Sequence, residues 1–339
     1  MKNRKIRTAG ALTGAAAMLS GYAQQAVADT AEVKVESANA TVSVREAAEY
    51  ARIANVSGEF TFDQDVICPS DEVFNLFGTV ATGMCARPGF AFDAVKEEDY
   101  FINFGGSVLK TQSISLSDLK NMPSEERTMK CSCATGPAIA NAQIVGVPLS
   151  NIIQMVDLEE GANTVTFKAA DGYGVSMPLS YALEKDAILV YQVGGSPVPT
   201  GTQIWVPKSV ARYFARNVVD IEFSVEAAEP AVLEADAAQR AKISVLNHFD
   251  DATFAVGDQI TFEGYADDFD KAITAVEFSM DGGETWTTCA TDGATAEKWV
   301  YWSFSYVTEA AGTYKLDVRA RAEDGTVSPM ASSIVFTVQ

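Results

Sequence analysis

Two cysteines, Cys131 and Cys133, stand two residues apart at the end of a candidate strand over 128–133, and the chain's one histidine, His248, lies far from them in sequence. A thiolate is a soft metal ligand and a strong nucleophile. One histidine cannot build a three-histidine zinc site, and it leaves little material for Ser-His-Asp or Cys-His chemistry. The chain has five cysteines, an odd number, so at least one thiol is left without an internal disulfide partner. Alternate strand residues share a face, which makes Cys133 a competitor of Cys131 for any ligand role. Small buried strand residues are the competing reading of both. Cys68, Cys85 and Cys289 stand in no motif, and a Cys68–Cys85 disulfide is conceivable.

The elements that must hold these thiols are short and mixed. Over 56–226 the pattern is α+β. A strand is expected at 101–104, ending on Gly105-Gly106, and Ser115 with Asp118 three residues on offers a helix N-cap. Leu149, Ile152, Ile153 and Val156 have helical spacing behind Pro148. Further strands are expected at 164–169, 174–177, 187–193, 203–206 and 217–225. An Ala/Glu-rich linker over 227–241 follows, and beyond it the pattern is almost purely β. Seven short strands over 242–339 predict an immunoglobulin-like sandwich. Within it Tyr314, Leu316, Val318 and Ala320 alternate with charged residues, which puts one face inward and one in water. Asp281-Gly282-Gly283 marks a hairpin turn.

Composition bounds the function. The 339 residues carry 45 Asp and Glu against 25 Lys and Arg, a net charge of −20. That balance argues against nucleic acid as a partner, because no basic surface is on offer to displace counterions from phosphates. Lys2, Arg4, Lys5 and Arg7, an Ala-rich apolar run and Ala26-Val27-Ala28 read as a secretory signal over 1–28, followed by an N-terminal arm over 29–55. The expectation is an exported protein, extracytoplasmic or at the cell surface, with no transmembrane segment once the signal is cleaved.

Thr128-Met129-Lys130-Cys131, then Asn141-Ala142 and Gly146-Val147-Pro148-Leu149, resemble the sulfite oxidase family of molybdenum enzymes. Asp171-Gly172-Tyr173, Met177-Pro178-Leu179 and Gly194-Gly195-Ser196-Pro197-Val198-Pro199 resemble its middle section, and Val276 to Trp286 its immunoglobulin-like dimerisation domain. The resemblance covers about residues 60–339. It implies a sulfite-oxidase-type molybdopterin-binding domain with a C-terminal immunoglobulin-like β-sandwich, a molybdenum–molybdopterin cofactor and a metal held by Cys131, with Cys133 as the alternative. It also places Tyr173 at the metal pocket in a catalytic role, with a turn tyrosine covering core as the competing reading, and Thr135, Gly136 and Asn141 at the cofactor; Arg212 and Arg216 are the cofactor-binding candidates among the remaining basic residues. Arg212 and Arg216, four apart, could share a helical face and offer the cations a pterin phosphate needs, although solvent-facing charge is the competing reading. The implied activity is two-electron oxygen-atom transfer on a small-molecule substrate. No Cys-x-x-Cys-His or Gly-x-Gly-x-x-Gly motif occurs, so electrons would leave to a separate electron carrier, and a homodimer is the implied assembly.

The chain departs from that family where an Arg-Asn-His stretch is usual: Phe74 is followed by Asn75-Leu76-Phe77. Thr200 to Pro207 likewise lacks the family's His and Arg. These departures support the alternative, a cofactor-free cell-surface or binding protein descended from the same fold. The signal reading has its own check: N-terminal sequencing of the exported protein is expected to begin at Asp29, and a chain that retains residue 1 would refute it.

Overall fold

The computed structural model describes residues 50–76, 79–80, 83–84, 94–136, 139–247, 249 and 252–339. The expected signal, the arm as far as 49, Cys85 and His248 lie outside the described residues.

The first part of the chain is built on two five-stranded sheets. In one, the spatial order is Ser196–Pro197, Ile188–Val193, Ile139–Pro148 and Glu125–Ser132, with Gln203–Trp205 also pairing with Ile188–Val193. In the other it is Gln112–Ser115, Phe101–Gly106, Val218–Ser224, Thr164–Ala169 and Gly174–Pro178. The short helices Leu116–Lys120, Leu149–Val156 and Leu179–Glu184 bury Leu119, Ile152, Val156 and Ala182 against a shared core with Phe104, Phe167, Ile144 and Val147. Ser115 caps its helix as expected: its hydroxyl accepts from the Asp118 N–H at 3.0 Å, and the Asp118 carboxylate accepts from the Ser115 N–H. The segment before Leu149 is more than a lead into a helix. Ile139–Pro148 is a ten-residue strand paired on both sides, and its near-complete burial removes the alternation that would have revealed it. Gly146 is required there, since a Cβ would stand 2.5 Å from the Leu189 carbonyl oxygen.

The second part is a two-sheet β-sandwich. Glu59–Asp63, Val300–Val307, Gln259–Asp267 and Lys242–Val245 form one sheet; Thr253–Phe254, Ser332–Val338, Gly312–Ala322, Ile273–Ser279 and Thr287–Ala290 form the other. Phe278 stacks on Phe304 (4.1 Å between ring centroids) and meets Trp302 edge-on at the centre of the core. Two details differ from the sequence reading. Glu59–Asp63 lies within the stretch assigned to the first domain, yet it pairs antiparallel with Val300–Val307, so the sandwich takes its first strand from ahead of the α+β part. The face expected in water hides Glu277 and Asp317; Glu277 is 1% exposed beneath Arg319 and Arg321, whose guanidinium groups reach it at 2.5 and 2.8 Å. Bonds of that kind let a carboxylate sit under a sheet surface and hold its pKa below the usual range despite desolvation. Among the described residues no helix is long and apolar enough to cross a membrane.

The two parts meet along the edge strand Glu125–Ser132. Lys130 and Asp267, with side chains 4% and 1% exposed, form a buried ion pair across this seam, and the Lys130 ammonium also donates to the Asp268 carbonyl at 3.3 Å. Removing one member leaves the other charge buried and uncompensated, at a cost of about 3–5 kcal/mol. Lys130→Met is therefore expected to lower the urea midpoint of unfolding strongly, and Lys130→Met with Asp267→Leu to recover most of the loss. A single variant as stable as wild type would contradict the burial seen here.

Candidate metal centre

Cys131 owes its position to register. In the antiparallel pair of Glu125–Ser132 with Ile139–Pro148, Cys131 faces Ala140 and Lys130 faces Asn141. The strand starts exposed at Glu125 and is buried from Met129 onward, leaving Cys131 at 0% and Cys133 at 8% exposure. The described cysteines, Cys68, Cys131, Cys133 and Cys289, are all thiols. Burial holds the Cys131 thiol well above its ordinary pKa, and Cys133 adds to the rise; Arg216 and Lys242 act the other way, and Asp267 with the burial. In the metal-free protein Cys131 is thus a protonated thiol, and two cations stand close enough to favour its thiolate.

The arginines arrive by a different geometry from the helical face their spacing suggests. Arg212 lies in a single 3-10 turn, Ala211–Tyr213, which ends before Arg216. Arg216 instead bridges Gln203 in extended backbone, is 2% exposed, and donates from Nη2 to the Phe74 carbonyl at the end of the helix Ser70–Leu76. Tyr173, in the hairpin turn between Thr164–Ala169 and Gly174–Pro178, donates its hydroxyl to the Arg212 carbonyl at 2.7 Å, so Tyr173 and Arg212 are brought together. Thr135 is exposed. Gly136 offers its carbonyl to Lys242 at 2.7 Å. Asn141, fully buried, commits its Nδ2 to the carbonyls of Gln64 (3.0 Å) and Val66 (3.2 Å), which fastens the chain arriving from the sandwich.

Several buried polar atoms on the elements framing Cys131 make no hydrogen bond: Ser132 Oγ, Asn141 Oδ1, Gln203 Oε1, Trp205 Nε1 and Arg212 Nε. Ser132 bridges Val210 and Gln203 bridges Arg216, so these atoms belong to one neighbourhood. A buried polar group left unsatisfied costs about 1–3 kcal/mol, and such a cluster suits a polar ligand that supplies the missing partners. A soft sulfur, two nearby cations and orphaned donors and acceptors fit an anionic metal–dithiolene group. Among the described residues no three His, Cys, Asp or Glu side chains gather in ligating range. A metal taken by Cys131 would therefore draw its remaining ligands from outside the described protein. Sequence reasoning missed Lys242, whose signal, a lysine opening a sandwich strand, is indistinguishable from surface charge until the seam is seen.

Residues 90–230, which contain every candidate above except Lys242, match the family model described as an oxidoreductase molybdopterin binding domain. The chain is similar over much of its length to sulfite oxidases. It is 26% identical over 271 residues to the mitochondrial sulfite oxidase of Homo sapiens, covering 62% of this chain and 49% of that one. It is 27% identical over 235 residues to the Rattus norvegicus protein, covering 53% and 43%. The chain thus spans about half the length of the curated relatives it matches. Among solved structures, the sulfane dehydrogenase SoxCD from Paracoccus pantotrophus matches 86% of each chain with a TM-score of 0.61 at 19% identity, which shows a shared fold. The matched domain and these relatives imply a molybdenum–molybdopterin cofactor.

The buried thiols make a pH prediction. Cys68 is pushed up to about 12 by burial, and Cys131 is raised as well. On unfolding both ionise near the ordinary thiol pKa of about 8.5. Above that pH the unfolded chain binds fewer protons than the folded one, so stability present at lower pH is lost as pH rises through the folded values. The melting temperature of metal-free protein is expected to fall from about pH 8.5 upward, and Cys68→Ala to make that fall shallower. An alkaline profile identical in the variant would rule out the Cys68 contribution.

Proposed function

We propose that this protein is an exported oxidoreductase that binds molybdenum–molybdopterin through Cys131 and performs two-electron oxygen-atom transfer on a small substrate, passing electrons to a separate carrier. The observation that carries the reading is the wholly buried Cys131 thiol, at the end of a strand inside the matched domain, with Arg216 and Lys242 both acting to favour its thiolate. When bound, the cofactor supplies the redox chemistry, and the protein's part is binding, orientation and electrostatics.

Each residue has a part in that reading. Cys131 would hold the metal through sulfur, and the register with Ala140 fixes where that sulfur sits. Arg216 and Arg212 would meet the anionic parts of the cofactor, as guanidinium groups suit phosphate oxygens. Tyr173 holds the 3-10 turn of Arg212 through its backbone carbonyl and so orients that arginine. The sheets around Cys131 exclude bulk water, which strengthens each of these charge interactions. The sandwich would serve as the pairing surface of a homodimer, in line with the family resemblance of 276–286.

Protein purified from its native host is expected to contain one molybdenum per chain and to yield a fluorescent pterin on release. Cys131→Ala should lose the metal and Cys133→Ala keep it; the reverse pattern would move the ligand to Cys133. Wild-type protein with neither metal nor pterin would instead support a cofactor-free binding protein on the same fold.

A further inference from the structure

The candidate ligand is gripped on both sides by residues of the other part of the chain. Lys242 and Asp267 face each other on neighbouring strands of the sandwich. Asp267 takes the ammonium of Lys130, the residue before Cys131. Lys242 is 6% exposed, its ammonium lies 4.7 Å from the Phe269 ring centroid, and it donates to the carbonyls of Cys133 and Gly136, in the loop after Cys131. A third carbonyl of that loop, Ala134, accepts from the Asp236 N–H at 3.0 Å. The strand and the loop thus have their hydrogen bonds completed on this side by the linker and the sandwich.

We propose that Lys242 and Asp267 form an inter-domain clamp bracketing Cys131, in which Lys242 is the positioning residue that sets the shape of the loop 133–136 behind the ligand sulfur. That Cys131 is a ligand rests on the function proposed above; the clamp itself does not. An ammonium suits the task because its three N–H donors can serve two carbonyls at once, where a neutral apolar side chain would donate to neither. The sandwich is on this account part of the metal centre's construction as well as a surface for pairing.

The test compares Lys242→Met and Lys242→Arg with Lys208→Met, a variant that removes a different seam contact, Lys208 to Glu297 at 3.1 Å, without touching the loop. In metal-free full-length protein, iodoacetamide labelling of Cys131 and Cys133 is followed by peptide mass spectrometry, with melting temperature measured alongside. Lys242→Met is expected to raise labelling about tenfold or more by loosening the loop, while Lys208→Met and Lys242→Arg stay near wild type. In protein from the native host, Lys242→Met should retain about a tenth or less of the wild-type molybdenum after dialysis, and Lys242→Arg should restore it. Wild-type labelling rates in Lys242→Met, or equal labelling in Lys208→Met, would overturn the clamp. So would failure of both Lys242 variants to fold, since the lysine would then be a requirement of the whole chain rather than of the loop. Absence of molybdenum from wild type would sink the proposed function and leave the labelling result to decide the clamp.

Discussion

The strand Glu125–Ser132 is the edge of its sheet, and it has to be covered before Cys131 can be buried. An uncovered edge presents unpaired backbone groups to solvent or to another chain. Here the cover is the sandwich. The Lys130 N–H donates to the Glu297 carbonyl, and the Lys130 side chain runs into Asp267. The resulting ion pair is costly to desolvate and works only because the two charges meet each other there. It makes the placement of Cys131 depend on the docking of a second domain.

That dependence explains the electrostatics of the thiol. A sulfur at zero exposure resists ionisation because a thiolate loses its hydration there. Arg216 and Lys242 oppose this effect from two directions, one from the extended chain after the 3-10 turn and one from across the seam, while Asp267 adds to it. Burial dominates, so the site favours a protonated thiol until something with stronger charge displaces the proton. A metal ion does this outright. A cysteine built this way is poorly suited to be a solvent-facing nucleophile and well suited to be a ligand.

Much of the fold was legible in the sequence, for physical reasons that also explain the failures. Ser115 and Asp118 announced a helix start because capping is local chemistry. The sandwich strands showed themselves through alternation, as in Tyr314, Leu316, Val318 and Ala320, all buried. The strand Ile139–Pro148 did not, because burial on both faces erases the alternation. Spacing misled at Arg212 and Arg216: four residues apart can mean one helical face, but Tyr213 ends the turn and Arg216 pairs with Gln203. Motif resemblance singles out Cys131. Lys242 was not found, because its role exists only where two distant segments meet.

The path of the chain shows why the second domain cannot be a simple appendage. Glu59–Asp63 is a strand of the sandwich, so the polypeptide crosses the seam before it builds the α+β part and again through the linker. The first crossing is fastened at Val66, whose carbonyl accepts from Asn141 and from the Trp299 indole at 2.8 Å, and at Cys68, whose N–H donates to the Asn141 carbonyl. Trp299 belongs to the buried core of the first part while stacking on Tyr265 of the sandwich. The second crossing is fastened by Asp236 on Ala134 and by Leu233, whose N–H donates to the Tyr213 hydroxyl at 2.7 Å. Both crossings therefore end on elements that frame Cys131: Asn141 lies across from Lys130, Ala134 follows Cys133, and Tyr213 neighbours Arg212. A chain cut in the linker would lose one set of these bonds, and a chain lacking its first strand would lose the other. Either way the cost falls first on the strand of Cys131, because that strand is where the two domains are joined.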